Sequence, residues 1–251
     1  MLRRGEVVDA RSAPGEDGPA TRGLRRDAAV NRERILAAAA AAVLREGEKV
    51  PLATIAADAG VGVGTLYRRY PERTALMRDL TDRAYHCVLH EAERAAASGG
   101  SAIDAIATFL DQMIRRRSDI VLPLVGGPVA VDQDAVDLRT KISDALDQVV
   151  ARGQRDGVLR HDVSGVDIII TAALLAQPLP NAPDWDSLAR RQARLYLDGL
   201  TATTTPPLPG QPPSRADLEA AFARTAGLSH GVDHARSGIM PGVQESPDRK
   251  G

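Results

Sequence analysis

Between Asp27 and Ala97 the chain is written in helical periods cut by glycine and proline, and this punctuation constrains the fold more than any other feature. In "DAAVNRERILAAAAAAVLREG", Val30, Ile35, Ala38, Ala39, Ala42 and Val43 recur near the spacing of one helix face, and Gly47 stands where a C-cap belongs. "PLATIAADAG" puts Pro51 where a first helical turn tolerates it, aligns Leu52, Ile55, Ala56 and Ala59 on one face, and stops at Gly60. "VGTLYRRY" is a further helical stretch that ends at Pro71. "PERTALMRDLTDRAYHCVLHEAERAAA" is one long amphipathic helix, Glu72–Ala97, closed by Ser98-Gly99-Gly100.

Beyond that break, helical patterns cover Ala102–Arg117, Asp119–Val125, Asp132–Arg155, Val163–Ala176 and Asp184–Thr203, separated by turn-forming runs such as "GGP" and "QPLPNAPD". No alternating period-2 segment is long enough for a sheet. Abundant alanine with only 3% aromatic residues favours closely packed helices. The expected fold is therefore all-α. Residues 1–26 read as a disordered basic arm, because Gly, Pro, Asp and Arg outweigh apolar residues there. Residues 27–90 read as one helical unit and 91–203 as a second. From 204 to 251 the chain is Pro- and Gly-rich and reads as a largely disordered tail, with helical pattern only in "SRADLEAAFARTAG".

Charge is uneven although the net is only -1. Arg22 to Arg73 holds 10 basic and 6 acidic residues, whereas Ser98 to Thr203 holds 11 basic and 14 acidic. A basic front and a mildly acidic body suit a molecule with one anion-facing end. Cys87 is the lone cysteine, so no internal disulfide can form, and a reducing cytoplasm is the expected home. The N-terminal arginines have no apolar stretch behind them, unlike a signal peptide. The longest apolar run, "IIITAALLA" from Ile168, is about half a membrane span, so no membrane partner is expected.

The run "GVGVGTLYRRY", Gly60–Tyr70, has two opposed readings. A phosphate-binding loop needs Lys then Ser or Thr after its last glycine, to meet phosphate and magnesium. Here Gly64 precedes Thr65 and Leu66. A dinucleotide fingerprint needs G-x-G-x-x-G after a buried strand, and both spacing and context differ. A helix-turn-helix fits instead, with Gly60 making the turn at positive φ. Val61 and Leu66 then point inward with Tyr70 behind them, leaving Val63, Gly64, Thr65, Tyr67, Arg68 and Arg69 to face a DNA groove. Gly64 lets the backbone come close. Thr65 and Tyr67 can bond phosphate through their hydroxyls, and Arg68 and Arg69 can read a guanine edge or clamp phosphate. Arg73, opening the long helix, can do the same beside an N-terminus that favours anions.

These residues also carry a resemblance. "ILAAAAAAVLREG" followed by "TIAADAGVGVGTLYRRYPERTAL" closely resembles the N-terminal DNA-binding domain of the TetR family of transcriptional regulators, in order and spacing over roughly Asn31 to His90. Val43 departs from it, standing where a larger aromatic is usual, and Glu72 stands where a small polar residue is more frequent. The resemblance implies a helix-turn-helix domain over 27–90, an effector-binding and dimerisation domain over 91–203, and a dimer on a palindromic DNA operator. It implies regulation, most often repression, released by a small molecule acting through the long helix.

Other candidates are weaker. "RGLRRD", Arg22–Asp27, can reach a minor groove or phosphate, or merely be solvated. His86 and His90 share a helix face, but Cys87 stands where a metalloprotease helix needs Glu, and no third ligand is evident; His230 and His234 lie in the tail. No metal or cofactor is called for, and no Ser–His–Asp or Cys–His signature supports an enzyme. A helical carrier or enzyme with a vestigial DNA-binding unit is the alternative, and a nonspecific DNA-packaging protein a third. In the second half, "VDIIITAALLAQ" and a stripe of Trp185, Leu188, Ala189, Gln192, Leu195 and Gly199 offer two helices for an intersubunit four-helix bundle. Phe109, Met113, Leu122 and Leu124 are candidate lining for an effector cavity, or ordinary core.

Overall fold

The computed structural model describes residues 19–47, 49–120, 132–179, 182–201, 206–222 and 224, without the side chains of 19–26. Helices follow in the order α1 Pro19–Glu46, α2 Leu52–Asp58, α3 Val63–Arg69, α4 Arg73–Ala97, α5 Ala102–Arg115, α6 Gln133–Arg155, α7 Gly165–Ala176 and α8 Trp185–Leu200, then a helical stretch α9 over 215–222. Among the described residues there is no strand; Leu159 and Thr201 form an isolated antiparallel bridge. The all-α expectation holds. No described helix is long and apolar enough to cross a membrane.

Two apolar cores share one helix. The first gathers Ile35, Leu36, Ala39 and Val43 of α1, Ile55 and Ala56 of α2, Leu66 of α3, and Leu76, Met77 and Leu80 of α4. The second begins at Ala84 of the same α4 and continues through Tyr85, Leu89, Ala92 and Ala95 into α5, α6, α7 and α8. The period of α4 keeps one face apolar along its whole length, and the partner changes from α1 to α5 and α6 partway along. Val30, expected on the α1 stripe, is exposed because that part of α1 runs ahead of the first core.

Turn chemistry fixes the junctions. Gly60 has φ 65, and the bonds Gly60 N–H to Ala57 O (3.0 Å) and Val61 N–H to Ala56 O (3.0 Å) close α2 in the paired pattern of a left-handed C-cap. Ser101 and Asp132 cap α5 and α6 by accepting from the Asp104 and Ala135 amides. Gly153 is required by close approach, since a Cβ there would lie 2.4 Å from Leu159 Cδ1 and 2.7 Å from Ala102 Cβ.

Two expectations are corrected, and a third lies mostly outside the described residues. Helix α1 begins at Pro19, not at Asp27, so 19–26 is helical and not a disordered arm; 1–18 lies outside the described residues. Ala20, Leu24 and the arginines are good helix formers, and lengthening an existing helix needs no new nucleus. The tail is ordered over 206–222. Arg160 donates to Pro206 O (2.9 Å), the Leu208 amide to Asp162 (2.7 Å) and Ser164 Oγ to Pro213 O (3.0 Å), which strap it to the body ahead of α9. Residues 225–251, with His230 and His234, lie outside the described residues. A helix over Asp119–Val125 is not observed at its start, where Asp119 and Ile120 lie in a turn and a bend; 121–125 lies outside the described residues.

Candidate nucleic-acid interface

Helix α3 is one side in, one side out. Leu66 is fully buried and Tyr70, its C-cap, nearly so, while Val61 packs partly against the same core. Opposite them Val63 is 42% exposed and Tyr67 49% exposed, with Gly64, Arg68 and Arg69 also open to solvent and Thr65 half-buried. Large apolar and aromatic groups left bare beside arginines are a poor solvation arrangement but a good one for base edges and phosphates. A Cβ at Gly64 would meet no atom within 4 Å, so the space beside the backbone is open on that face.

The two arginines differ. Arg68 extends along the helix, with Nη2 3.3 Å from Thr65 Oγ1. Arg69 leans back over the Tyr70 ring, 5.8 Å from its centroid. Arg73, expected beside them, is half-buried and turned inward. Both of its terminal nitrogens donate to the Val50 carbonyl, Nη1 at 2.7 Å, which ties the loop before α2 to the start of α4.

Below α3, Tyr70 OH donates to Asp79 Oδ2 (2.7 Å) and Arg32 Nε donates to the same oxygen (3.0 Å), joining α1, the α3 cap and α4. Burial first, and then the bond to Asp79, push the Tyr70 phenol up to about 12. Burial alone would raise the Asp79 carboxyl, but the bonds from Tyr70 and Arg32 outweigh it and hold the group below its ordinary value. Nothing in the local pattern announces this cluster, because its three members come from separate segments.

The second unit contains a cavity of about 280 Å³, close to the lower bound of small-molecule sites. Phe109 and Met113, both expected there, line it; Leu122 and Leu124 lie outside the described residues. Tyr85 of α4, Ile142 of α6 and Ile169 of α7 add apolar wall, and Leu218, Glu219 and Phe222 of the tail form another side. Arg139, overlooked in the sequence, also lines it. Its signal was there: it occupies the stripe Ala135, Arg139, Ile142, Leu146, Val149 on the buried face of α6, where a charge needs a reason.

On the outer surface, Ile170 and Leu174 of α7 lie beside Leu188, Gln192, Leu195 and Gly199 of α8, all exposed, with Leu174 at 66% and Leu195 at 57%. Ile170, Leu195 and Gly199 share one depression. Ala189, expected on the same stripe, faces the core, and Trp185 is half-buried with Nε1 donating to Leu175 O (2.9 Å). His86 and His90 are exposed, and no group of three or more potential metal ligands exists among the described residues.

Comparison with known proteins places both halves in one setting. Residues 101–202 match the family model of the SbtR-like transcriptional regulator C-terminal domain. A TetR transcription regulatory protein from Mycobacterium vanbaalenii is 30% identical, with a TM-score of 0.51 over 71% of this chain and 99% of that one. The transcriptional repressor KstR of Mycolicibacterium smegmatis is 26% identical over 152 residues, 59% of this chain and 74% of that protein. AibR, solved with isovaleryl coenzyme A and operator DNA, shares the fold at 12% identity, with a TM-score of 0.54 over 68% of this chain and 98% of that one.

Proposed function

Because this chain belongs to the TetR family of DNA-binding transcriptional regulators, we propose that it is a ligand-responsive repressor that grips a palindromic operator as a dimer. The observation that carries this is the two-sided α3: Leu66 and Tyr70 anchor it while Val63, Gly64, Thr65, Tyr67, Arg68 and Arg69 face outward. Tyr67 and Arg68, both exposed on the outer face of α3, are assigned to the DNA. Arg69 takes the phosphate role, since its guanidinium stays near the Tyr70 ring. Arg73 is left as the clip on Val50.

The exposed seam of α7 and α8 supports dimerisation. A two-fold axis through it would bury Ile170, Leu174, Leu188 and Leu195 against their copies and present two α3 helices to successive major grooves. The cavity supports the effector reading, because Tyr85 in its wall belongs to the helix that also carries Leu76 and Leu80 beneath α3. A ligand that favours one position of α4 would change the spacing of the two α3 helices, with a coupling of about 1–3 kcal/mol. The relatives KstR, named a repressor, and AibR, solved with a thioester ligand and operator DNA, support repression and ligand control. Such a regulator acts where the chromosome is, in the cytoplasm.

The test is selection of bound sequences from a random DNA pool, followed by titration of the recovered site. A palindrome is expected, with affinity that falls as salt rises. Replacing Tyr67 and Arg68 together by alanine should weaken binding by about 1–3 kcal/mol per lost base contact and leave the melting temperature in place. Unchanged binding by that variant overturns the reading, and equal binding to random DNA would favour a packaging role.

A further inference from the structure

Arg139 is a buried cation in a mostly apolar wall, 6% exposed, and its anion comes from the tail. Its Nε and Nη2 each donate at 2.7 Å to Glu219, one to each carboxylate oxygen, a two-point pairing suited to a planar carboxylate. The guanidinium also lies 5.5 Å from the Tyr85 ring centroid and 5.1 Å from that of Phe222, and Nη1 is 3.5 Å from Tyr85 OH. Glu219 is thus the carboxylate, and Phe222 the apolar body, of a group that already occupies one side of the cavity.

The tail is a replaceable occupant. Most of 206–220 is exposed, and α9 buries only Leu218, Glu219 and the residues at 221–222 to an intermediate degree. Its ties outside the cavity include Arg215 to the exposed Asp144 (2.9 Å) and the strap bonds at Pro206, Leu208 and Pro213. Withdrawing Glu219 without a substitute would leave a buried guanidinium without its carboxylate, which is strongly unfavourable. A neutral molecule cannot relieve that. A carboxylic acid can.

We propose that the cavity binds an apolar monocarboxylic acid whose carboxylate replaces Glu219 on Arg139, and that the segment 206–222 is the built-in competitor that this acid expels. The acid's apolar body takes the space lined by Phe109, Met113, Ile142 and Ile169 and the place of Phe222. This deepens the effector reading and rests on it for its regulatory meaning, but the binding site itself does not depend on DNA.

The test uses the full chain and two probe series, straight-chain carboxylates of six to twelve carbons and the matching alcohols, titrated by calorimetry. At least one acid is expected to bind about ten-fold or more tighter than its alcohol, as a charge-assisted two-point pair requires. Glu219→Gln weakens the competitor, so the same acid should bind about three- to ten-fold tighter to that variant. Arg139→Gln should erase the preference for acid over alcohol; if it does not fold, Glu219→Gln carries the test alone. Saturating acid should also speed tryptic cleavage after Arg215. The proposal is overturned if no acid binds, if alcohols bind equally well, or if Glu219→Gln leaves acid affinity unchanged or lower. An acid that binds as expected without altering operator affinity sinks the effector reading and keeps the site. Alcohols that bind and release DNA do the reverse.

Discussion

Tyr70 does two jobs with one side chain: its ring closes the first core behind Leu66, and its hydroxyl holds Asp79. Replacing Tyr70 with Phe keeps the ring and removes the donor, leaving Asp79 with Arg32 alone. A loss of about 1–2 kcal/mol is expected, the range for a bond to a charged partner that keeps some solvent. The pH dependence has a definite sign. Asp79 is held below its ordinary value in the fold, so its contribution is present above the unfolded pKa, about 3.9, and disappears as pH falls through the lowered folded value. Melting curves of wild type and Asp79→Asn should therefore differ at pH 7, with the gap narrowing as pH falls below the unfolded value of about 3.9; a constant gap would sink this assignment. At this scale the inward and outward faces of α3 could be read directly, because a single period decides them. The Arg73 clip could not, since its acceptor is a backbone carbonyl in another segment and leaves no trace in residue type.

The turn between α2 and α3 concentrates its demands in Gly60, whose φ of 65 is open to glycine and strained for residues with a Cβ. No atom lies within 4 Å of a Cβ built there, so Gly60→Ala isolates the backbone effect from any clash. It should lower stability by about 1–2 kcal/mol and weaken operator binding through the changed entry of α3, both measurable on one preparation by thermal melting and fluorescence anisotropy. Gly153→Ala is the opposite case, ordinary in φ but blocked by Leu159 and Ala102, and should destabilise the second core by about 1–3 kcal/mol while the first is untouched. Helix identity was legible wherever apolar spacing persisted, as in α4 and α6. Helix extent was less so. The start of α1 at Pro19 depends on continuity with an already formed helix, and the docking of α9 depends on Arg139, some eighty residues earlier in the chain. Neither influence is local, so composition alone read 19–26 as disordered, and the helical pattern of "SRADLEAAFARTAG" could not show where α9 docks.

Across the whole molecule, α4 makes the two units mechanically one. Leu76, Met77 and Leu80 belong to the first core and Ala84, Tyr85 and Leu89 to the second, while Arg83 bridges Glu33 of α1 (2.8 Å) and Asp119 after α5 (3.1 Å) across the junction. A shift of α4 imposed at Tyr85 must therefore be felt under α3. Such a shift has regulatory leverage only if a second α3 stands at a fixed distance, which gives the proposed α7–α8 seam its part in the mechanism. Leu195 lies in the proposed seam at 57% exposure, and because full burial of a leucine is worth about 1.5–3 kcal/mol, covering its open part is worth about 1–1.5 kcal/mol, twice over in a symmetric pair. Leu195→Glu replaces that gain with two facing carboxylates. The variant should sediment as a monomer at micromolar concentration with an unchanged helical circular dichroism signal. Its operator binding should fall by far more than a two-fold dilution of sites explains, because each α3 would then bind alone. A variant that stays dimeric would place the interface elsewhere on the molecule, and the α3 spacing would have to be derived again from that other surface.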